Sequence, residues 1–524
     1  MGGKGSSARP DESGTPMTNI RNALGRLWDA DDGAPMVQQD GRWVTWGDIR
    51  ILVEAIESEL TAAGCGAGGR VAVVQSNRPE SVAAMIAIFR GERTLVTLSP
   101  LQPPARLSAD LSTSGARYVL APEALWSERV FAHTVTESDA TGWSVEGTKL
   151  HRRATANTPI ETGDREVAVE MLTSGTTGPP KRIPLTRPQM QAALAAAGAY
   201  ARKAPSGRAP LTGPATLVTL PIVHIGGLWA LLQALVDARP IVMLERFTVD
   251  GWHAAVKEHK PVVVGLPPAA MRTVLDAQIP AEDLASVRAV NAGTSPVDPA
   301  MVDAFLDKYG IPVLIVYGAT EFSGAVAGWS IRDFRSRWGT KHGSVGRAFP
   351  GVRLQVVDDD GDILALGQTG RLQVAAPQAN GSADADNWVT TSDLAHLDED
   401  GFLYIDGRAD DVILRGGFKV APETVARALR THDAVHDASV AGLPDSRLGQ
   451  IPVAAVELRT GRAVTGEELR AHCRESLTPY EVPAEVFVVD ELPRGAALKV
   501  DRRALIAMLE NLRGRAAAKS AAAS

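Results

Sequence analysis

The stretch Thr173–Lys181, which reads TSGTTGPPK, directly follows the apolar run Val167–Leu172. Its glycines permit positive φ angles, so that backbone N–H groups can turn toward an anion. Its threonines and serine add hydroxyl donors, and Lys181 adds a positive charge. The spacing differs from that of a Walker A loop, and a polar surface turn would have a similar composition. A strand that leads into such a loop nevertheless favours a phosphate-binding site over a simple turn.

The composition is that of a globular protein with more than one domain. The chain has 524 residues, of which 45% are hydrophobic and 22% charged, and a single core seldom serves such a length. A net charge of −7 offers no basic surface for nucleic acid, and no apolar run is long enough to span a membrane. The two cysteines, Cys65 and Cys473, fit neither a disulfide framework nor a zinc site. We therefore expect a location in the reducing cytoplasm.

Strand and helix patterns alternate through the first two thirds of the chain. Apolar runs of the buried-strand type occur at Val71–Ser76, Leu95–Ser99, Leu217–Pro221, Ile241–Leu244, Val262–Leu266, Val287–Asn291 and Val313–Tyr317. Helical spacing at Glu80–Arg90 and Gly227–Val236 separates some of them. This alternation predicts an α/β fold of mostly parallel sheets flanked by helices. Ligands bind beyond the carboxyl ends of such strands, where His224, Gly293-Thr294-Ser295 and the residues after Tyr317 are found.

The sequence pattern changes beyond Phe349. Short runs joined by Asp/Gly turns predict a short antiparallel β subdomain. After Asp410, strand patterns alternate with helical patterns at Glu423–Thr431 and Gly466–Leu477, which predicts a small α+β domain. We therefore predict a disordered leader at 1–18, an N-terminal domain at 19–409, a C-terminal domain at 410–511 and a flexible tail at 512–524.

With these features in place, the sequence resembles the superfamily of adenylate-forming enzymes, which includes acyl-CoA synthetases, peptide-synthetase adenylation domains and luciferases. The loop matches the family pattern S/T-S-G-S/T-T-G-x-P-K, and further motifs follow in the family's order between about Trp43 and Leu509. The resemblance favours the branch of AMP-forming acid–CoA ligases. It implies contacts with the phosphates of ATP from Thr173, Ser174, Gly175, Thr176, Thr177, Gly178 and Lys181. Thr176 is further implied to contact Mg²⁺.

The second motif implies contacts with adenine, phosphate and metal. Tyr317-Gly318-Ala319-Thr320-Glu321 resembles the family's Y-G-x-T-E, in which tyrosine and glycine flank adenine and threonine approaches the adenylate phosphate. The glutamate helps to hold Mg²⁺, which commonly takes few protein carboxylates together with substrate phosphates. We assign Gly293, Thr294 and Ser295 to the same nucleotide site.

The third motif implies the contacts with ribose. Asp393 ends the run Thr390-Thr391-Ser392-Asp393, where the family usually has T-G-D, so that a serine replaces the glycine. A carboxylate is a good acceptor for two vicinal hydroxyls. Arg408 corresponds to a second ribose contact. A turn-capping aspartate and an exposed ion pair are the alternative interpretations of these two residues.

The fourth and fifth motifs belong to the C-terminal domain, which the resemblance implies is mobile. Asp410 corresponds to the family's hinge residue, and Gly416 and Gly417 correspond to a turn that approaches the pantetheine of coenzyme A. Lys499 corresponds to the catalytic lysine that reaches the carboxylate and the α-phosphate. The family's usual glycine before this lysine is Leu498 here.

The residues around His224 indicate the class of acid. A histidine or aromatic residue lies beside the acyl carboxylate in the family, so we place His224 with Lys499, Thr320 and Glu321 in the catalytic set. Amino-acid-adenylating relatives carry an aspartate where this chain has Ile225, which disfavours an α-amino acid. A small apolar lining predicts a bulky fatty, aromatic or polycyclic acid. The predicted lining is Ile222, Ile225, Gly226, Gly227, Val264, Gly265, Ala292 and Ala319.

The leading hypothesis is a two-step ligase that uses ATP and Mg²⁺ to form an acyl-adenylate and then transfers the acyl group to coenzyme A. One alternative is transfer to a carrier protein, which would be a separate chain because no carrier domain is visible after Lys499. Another is catalysis of the thiolation half-reaction alone, which the departures at Ser392 and Leu498 suggest. A different class of protein, a nucleotide-binding sensor without turnover, also remains open. A homodimer is possible, and no nucleic-acid partner or membrane span is expected.

Overall fold

A computed structural model of the protein describes residues 19–158, 163–173, 181–200, 208–379, 388–495 and 498–523. The leader predicted at 1–18 falls outside these ranges, as do five predicted phosphate contacts, Ser174, Gly175, Thr176, Thr177 and Gly178. The strands that enter and leave this loop are described, and their pairing fixes its two ends. Thr173 lies opposite Lys181 in an antiparallel register.

The first strands build a mostly parallel sheet. Its order in space, within the described ranges, is Lys149–Ala154, Thr141–Glu146, Tyr118–Pro122, Arg70–Val74, Thr94–Leu98, Val167–Thr173 and Lys181–Thr186. The strand Thr94–Leu98 is buried at every position, as expected for an apolar strand with helices on both faces. Proline begins the helix Pro79–Arg90, where its fixed φ suits the first turn and the missing N–H costs no helical bond.

A second sheet brings the predicted ligand residues to one edge. Its order is Val263–Gly265, Ala289–Ala292, Val313–Ala319, Gly324–Gly328 and Arg347–Ala348. The first three strands are parallel, so their carboxyl ends lie at the same edge. Gly293-Thr294-Ser295 and Thr320-Glu321 follow at this edge, where the strand pattern predicts a ligand site. A third sheet joins Thr216–Val218, Ile241–Met243, Pro35–Gln39 and Arg42–Thr45.

Helices cover these sheets. The α-helices of the N-terminal domain are Ile20–Gly25, Trp46–Ala62, Pro79–Arg90, Pro104–Ser114, Glu123–Trp126, Arg129–Glu137, Arg187–Tyr200, Ile225–Val236, Val249–His259, Pro268–Asp276, Pro299–Tyr309 and Ile331–Arg337. Turns of 3-10 helix occur at Arg26–Asp29, Ala281–Leu284, Thr320–Phe322 and Ala409–Asp411. Thr45 and Asp48 form a capping box that fixes the start of Trp46–Ala62 by satisfying backbone donors that the helix leaves free.

The predicted antiparallel subdomain is a meander. Its strands are Arg353–Val357, Gly370–Ala375, Val389–Leu397 and Leu403–Arg408. In this meander Asp393 lies opposite Arg408, so strand pairing alone brings the two predicted ribose contacts together.

The C-terminal domain is a separate α+β unit with its own apolar clusters. Its strands are Ile413–Arg415, Phe418–Val420, Val435–Asp445, Gly449–Leu458 and Glu485–Val489, and its helices are Pro422–Arg430, Gly466–Cys473 and Arg502–Ala523. The last helix runs through most of the segment predicted as a flexible tail. The predicted fold class, an α/β domain with an antiparallel subdomain followed by a small α+β domain, is confirmed. The exact domain boundaries stay predictions.

None of the helices within the described ranges combines the length and the apolar character that a membrane span requires.

We predict that Gly318→Ala destabilises the second sheet where the strand Val313–Ala319 pairs with Gly324–Gly328. A β-carbon there would lie 2.1 Å from the carbonyl oxygen of Gly324 and 2.6 Å from the Cα of Ala325. Both are backbone atoms of the paired strand, so the free energy of unfolding should fall by about 1–3 kcal/mol. Denaturant unfolding measures the change. Gly339→Ala is the control, because a β-carbon there meets no atom within 4 Å. Equal losses in the two variants would contradict the explanation.

Candidate active site

A crevice between the two domains collects most of the predicted site residues. Those that line it are His224, Ile225, Gly226, Val264, Gly265, Gly293, Thr294, Ser295, Tyr317, Gly318, Ala319, Thr320, Glu321, Asp393, Arg408 and Lys499. The carboxyl edges of the parallel strands form one wall, and the loop that carries Lys499 approaches from the C-terminal domain.

Tyr317, Asp393 and Arg408 form a fixed polar group on this wall. The hydroxyl of Tyr317 donates a hydrogen bond to a carboxylate oxygen of Asp393 at 2.5 Å. Burial, and then the charge of Asp393, raise the pKa of Tyr317 far above its ordinary value, so the phenol keeps its proton. Arg408 donates to the hydroxyl of Ser392. The serine that departs from the family pattern therefore holds the guanidinium in place.

The turn Gly293-Thr294-Ser295 brings backbone close to the neighbouring strand. A β-carbon at Gly293 would lie 2.8 Å from the carbonyl oxygen of Val316, so no larger residue fits without movement. Thr294 has a φ of +71°, which is uncommon for a β-branched residue. Its buried hydroxyl has no hydrogen-bond partner among the described residues. A strained turn with an unsatisfied hydroxyl at the crevice suits contact with a polar ligand.

Glu321 is the acidic residue that faces the crevice from the turn Thr320–Phe322, and it is exposed to solvent. The described residues contain no group of three or more His, Cys, Asp or Glu placed to hold a metal ion. A single carboxylate such as that of Glu321 cannot enclose a metal ion without other ligands. It does suit Mg²⁺, which is usually bound by one or two carboxylates together with phosphates and water. The other predicted metal contact, Thr176, lies outside the described residues.

His224 immediately precedes the helix Ile225–Val236 without capping it through its side chain. Its buried Nε2 has no hydrogen-bond partner among the described residues. Burial, and then the positive charge of Lys499, lower the pKa of His224 below 6.5. The imidazole is therefore neutral at pH 7, and its Nε2 can donate a hydrogen bond to a ligand or accept one from it.

Lys499 meets the N-terminal domain across the crevice. The residue is exposed to the open crevice, which His224, Asp393 and Arg408 also line. Desolvation, and then the charge of Arg408, lower the pKa of Lys499, while Asp393 opposes them. Lys499 therefore shares the crevice with His224 and with the two predicted ribose contacts, Asp393 and Arg408.

Leu498 adopts a left-handed backbone conformation, which favours glycine. Its φ is +59°, which costs a non-glycine residue about 1–2 kcal/mol. Its side chain packs against the apolar cluster of the N-terminal domain that contains Val264 and Leu266. Burying a leucine side chain fully is worth about 1.5–3 kcal/mol, so partial burial offsets much of the strain. The leucine thus combines a left-handed backbone with an apolar contact between the domains.

The apolar wall differs in part from the predicted substrate lining. Ile225, Gly226, Val264, Gly265 and Ala319 line the crevice. The other three predicted residues lie behind this wall: Ile222 and Ala292 are 0% exposed in apolar clusters, and Gly227 packs against the backbone of Pro221.

Trp229 also lines the crevice, and the sequence interpretation missed it. It lies one helical turn after Ile225, so i, i+4 spacing on the helix would have placed it on the same face. Its indole N–H is buried without a partner in the described ranges and lies against Gly324, whose φ is +132°. A β-carbon at Gly324 would lie 2.5 Å from that nitrogen. Glycine at this position therefore makes room for the indole.

The predicted hinge and pantetheine residues lie away from the crevice lining. Asp410 is in the turn Ala409–Asp411, 3.7 Å from Arg408. Gly416 and Gly417 form the turn between Ile413–Arg415 and Phe418–Val420, with φ of +58° and +91°. This arrangement of the domains presents Lys499 to the site and leaves the Gly416-Gly417 turn outside it.

Two family models match the chain. Residues 28–380 match the model described as AMP-binding enzyme, and residues 424–499 match the AMP-binding enzyme C-terminal domain. The chain belongs to the AMP-binding enzyme family.

Relatives with known names agree with this assignment. A 2-succinylbenzoate–CoA ligase of Geobacillus kaustophilus is 31% identical over 489 residues, covering 89% of this chain and 93% of that protein. ATP-bound MatB from Rhodopseudomonas palustris has the same fold, with a TM-score of 0.80 at 22% identity over 94% of this chain and 99% of that chain. O-succinylbenzoate coenzyme A synthetase from Bacillus subtilis, in complex with ATP and magnesium, gives a TM-score of 0.75 at 25% identity over 93% and 99%.

These matches confirm the predictions of an adenylate-forming fold and of an AMP-forming acid–CoA ligase that depends on ATP. The roles assigned to single residues stay predictions, although the structure brings most of them to one crevice.

We predict that adenylation declines on the alkaline side at a pH below 10.5, the ordinary pKa of lysine. Lys499 acts as a cation, and a lowered pKa means that its charge is lost at a lower pH than usual. The rate of pyrophosphate exchange as a function of pH measures the decline. Lys499→Arg should reduce the rate but move the decline to higher pH, because a guanidinium stays protonated. The same alkaline limb in both proteins would rule out Lys499 as its source.

Proposed function

We propose that this chain activates a bulky carboxylic acid as an acyl-adenylate and transfers the acyl group to coenzyme A, with both steps in the interdomain crevice. One observation carries the proposal: Lys499 of the C-terminal domain lines the same crevice as His224, Asp393 and Arg408 of the N-terminal domain. A lysine brought by a second domain to a nucleotide site serves chemistry better than it serves binding alone.

The first step is an in-line displacement at phosphorus. A carboxylate oxygen forms a bond to the α-phosphorus of ATP, and the bond from that phosphorus to the pyrophosphate oxygen breaks. Negative charge spreads over the α-phosphoryl oxygens and the leaving pyrophosphate. Lys499 stabilises it from the C-terminal domain, and Lys181, which follows the phosphate-binding loop in the sequence, is predicted to contact the phosphates. Mg²⁺, when bound through Glu321 and the phosphates, supplies further charge neutralisation.

The neutral imidazole of His224 orients the acid. A protonated histidine would form an ion pair with the carboxylate and weaken its attack on phosphorus, whereas a neutral ring donates one hydrogen bond. Lys499 favours the neutral form through its own charge. His224 therefore orients the nucleophile, and Lys499 stabilises the transition state.

The second step needs a different arrangement of the domains. The thiol sulfur of coenzyme A loses its proton and forms a bond to the acyl carbon, and the bond from that carbon to the phosphate oxygen of AMP breaks. The Gly416-Gly417 turn lies outside the crevice in the arrangement described above. Rotation about Asp410 would replace the Lys499 loop by this turn.

The acid that fits this wall best is aromatic or polycyclic. Trp229 presents a flat side chain, and Ile225, Gly226 and Ala319 leave space before it. Aromatic rings pack favourably on an indole in offset or edge-on arrangements. The relative named for 2-succinylbenzoate also acts on an aromatic acid, according to its name.

A panel of carboxylic acids tests the proposal. Pyrophosphate release should be greatest with aromatic acids, weaker with fatty acids of equal carbon number and least with amino acids. Consumption of the free thiol of coenzyme A should follow with the same acids. Coenzyme A consumption without pyrophosphate exchange would favour the thiolation-only alternative, and exchange without consumption would favour a carrier protein. ATP binding without either activity would favour the nucleotide sensor. Mg²⁺ dependence, a homodimer and a cytoplasmic location remain predictions.

We predict that Lys499→Ala lowers the rate of adenylate formation by about a hundredfold or more, while the Kd for ATP changes only a few-fold. The lysine acts on charge that develops in the transition state, so binding of the ground state depends on it much less. Pyrophosphate exchange and ATP titration measure the two quantities. Lys149→Ala serves as the control, because Lys149 is an exposed residue of the strand Lys149–Ala154 and does not line the crevice. Adenylation that persists at the wild-type rate in Lys499→Ala would refute the role of Lys499.

A further inference from the structure

A cluster of charged side chains lies where the domains meet; it lines the same crevice but contains none of the residues assigned to the nucleotide. Its centre is Asp437, whose carboxylate is shared by three arginines. The Nη2 of Arg494 is 2.7 Å from one oxygen, and Arg430 and Arg272 lie 3.7 and 3.8 Å from the other. We call this group, together with the residues that pair with its arginines, the Asp437 cluster. Those partners are Asp298, Glu423 and Glu457.

The three arginines come from three parts of the molecule. Arg272 belongs to the helix Pro268–Asp276 of the N-terminal domain and also donates to the backbone carbonyl of His436. Arg430 ends the helix Pro422–Arg430 and reaches Asp298 of the N-terminal domain at 3.7 Å. Arg494 belongs to the loop that carries Lys499. One carboxylate thus connects the N-terminal domain, the C-terminal domain and the catalytic loop.

The cluster is buried in this arrangement of the domains. The side chains of Arg272, Asp437 and Arg430 are only 13%, 11% and 12% exposed. Burial alone would raise the pKa of Asp437, but the charges of Arg272, Arg494 and Arg430 outweigh it and lower the pKa. Removing one member of a buried group leaves another charge uncompensated, which is far more costly than breaking an exposed pair.

Arg494 connects the Asp437 cluster to the loop that carries Lys499. Two bonds to Asp437 and Glu457 hold its guanidinium at 2.7 and 3.3 Å. Five residues further on, the carbonyl of Lys499 accepts a hydrogen bond from the N–H of Gly495 at 2.8 Å, and Arg494 pairs with Val500. The loop is therefore closed on itself and anchored by its arginine. A shift of Asp437 would carry the lysine with it.

We propose that Arg272 and Asp437 are positioning residues for adenylation, which couple docking of the C-terminal domain to the placement of Lys499. The inference rests on the proposed function, because it assigns the cluster to one of the two steps. Rotation of the C-terminal domain for thiolation would take Arg430 and Asp437 away from Arg272 and Asp298. The cluster therefore stabilises the adenylation arrangement selectively and contributes nothing to the second step.

The central experiment compares Arg272→Gln with Arg459→Gln. Arg459 also crosses the interface, to Asp276 at 3.2 Å, but both side chains are at least 40% exposed. Arg272→Gln should lower the pyrophosphate exchange rate at least about tenfold, because it leaves a buried carboxylate short of a partner. Arg459→Gln should change it less than about threefold. Thiolation from a synthetic acyl-adenylate of the preferred acid should stay within about twofold in both variants.

Two further variants separate positioning from folding. Asp437→Asn should reproduce the selective loss of exchange, and Arg272→Lys, which keeps the charge without the forked geometry, should restore part of it. Thermal unfolding of each variant shows whether the domains remain folded. An equal loss of both half-reactions in Arg272→Gln would show a merely structural role and overturn the proposal, as would unchanged exchange in that variant.

A measurement without turnover keeps the inference separate from the proposed function. The cysteines Cys65 and Cys473 are buried, so spin labels can be directed to introduced cysteines. Exposed sites are Asp360→Cys in the N-terminal domain and Glu475→Cys in the C-terminal domain. Distances between the labels in the presence of ATP should show a docked population that shrinks in Arg272→Gln and not in Arg459→Gln. An unchanged docked population in Arg272→Gln refutes the docking role, whereas an inactive wild-type protein refutes only the proposed function.

Discussion

The active site is complete only when one ammonium group, that of Lys499, is in place. Lys499 belongs to the C-terminal domain, but the groups that give its charge a purpose, His224, Asp393 and Arg408, belong to the N-terminal domain. No local structure within either domain can create this contact. The parallel strands supply an edge, and the antiparallel meander brings together Asp393 and Arg408, the predicted ribose contacts. The relative orientation of the domains then decides whether the site is complete. Adenylation is therefore a property of an interface.

Strain and packing are balanced at that interface. Leu498 takes a left-handed conformation that glycine would adopt freely, and its side chain contacts the apolar cluster of the other domain. The cost of the first and the gain of the second are both about one to a few kcal/mol. The loop thus reaches the geometry implied by the family resemblance while making a contact that a glycine could not make. Thr294 shows the same feature on the opposite wall, where a strained backbone faces the ligand space.

Sequence patterns predicted the parts of this site that lie next to regular structure. The buried strands were evident from short apolar runs. Their ends placed Thr294 and Glu321 at one edge, because parallel strands share a direction, and His224 at the same crevice. Trp229 was missed, although its helical spacing from Ile225 was available. The strand Lys181–Thr186 was also missed, because its mixed composition gives no clear alternation. The Asp437 cluster was beyond sequence patterns, since Arg272 lies 165 residues before Asp437 and the two meet only through docking.

Charged residues suit an interface that must open on every turnover. A large apolar surface would favour docking in water, but the exposed surface would be costly whenever the domains separated. The Asp437 cluster behaves differently: its ions attract each other when buried and are hydrated when released, so the net free energy that favours docking is modest. Geometry, rather than a large free energy, then selects the docked arrangement. Arg272 and Asp437 define where the domain comes to rest, and the near balance of pairing and hydration leaves it free to depart for the second step.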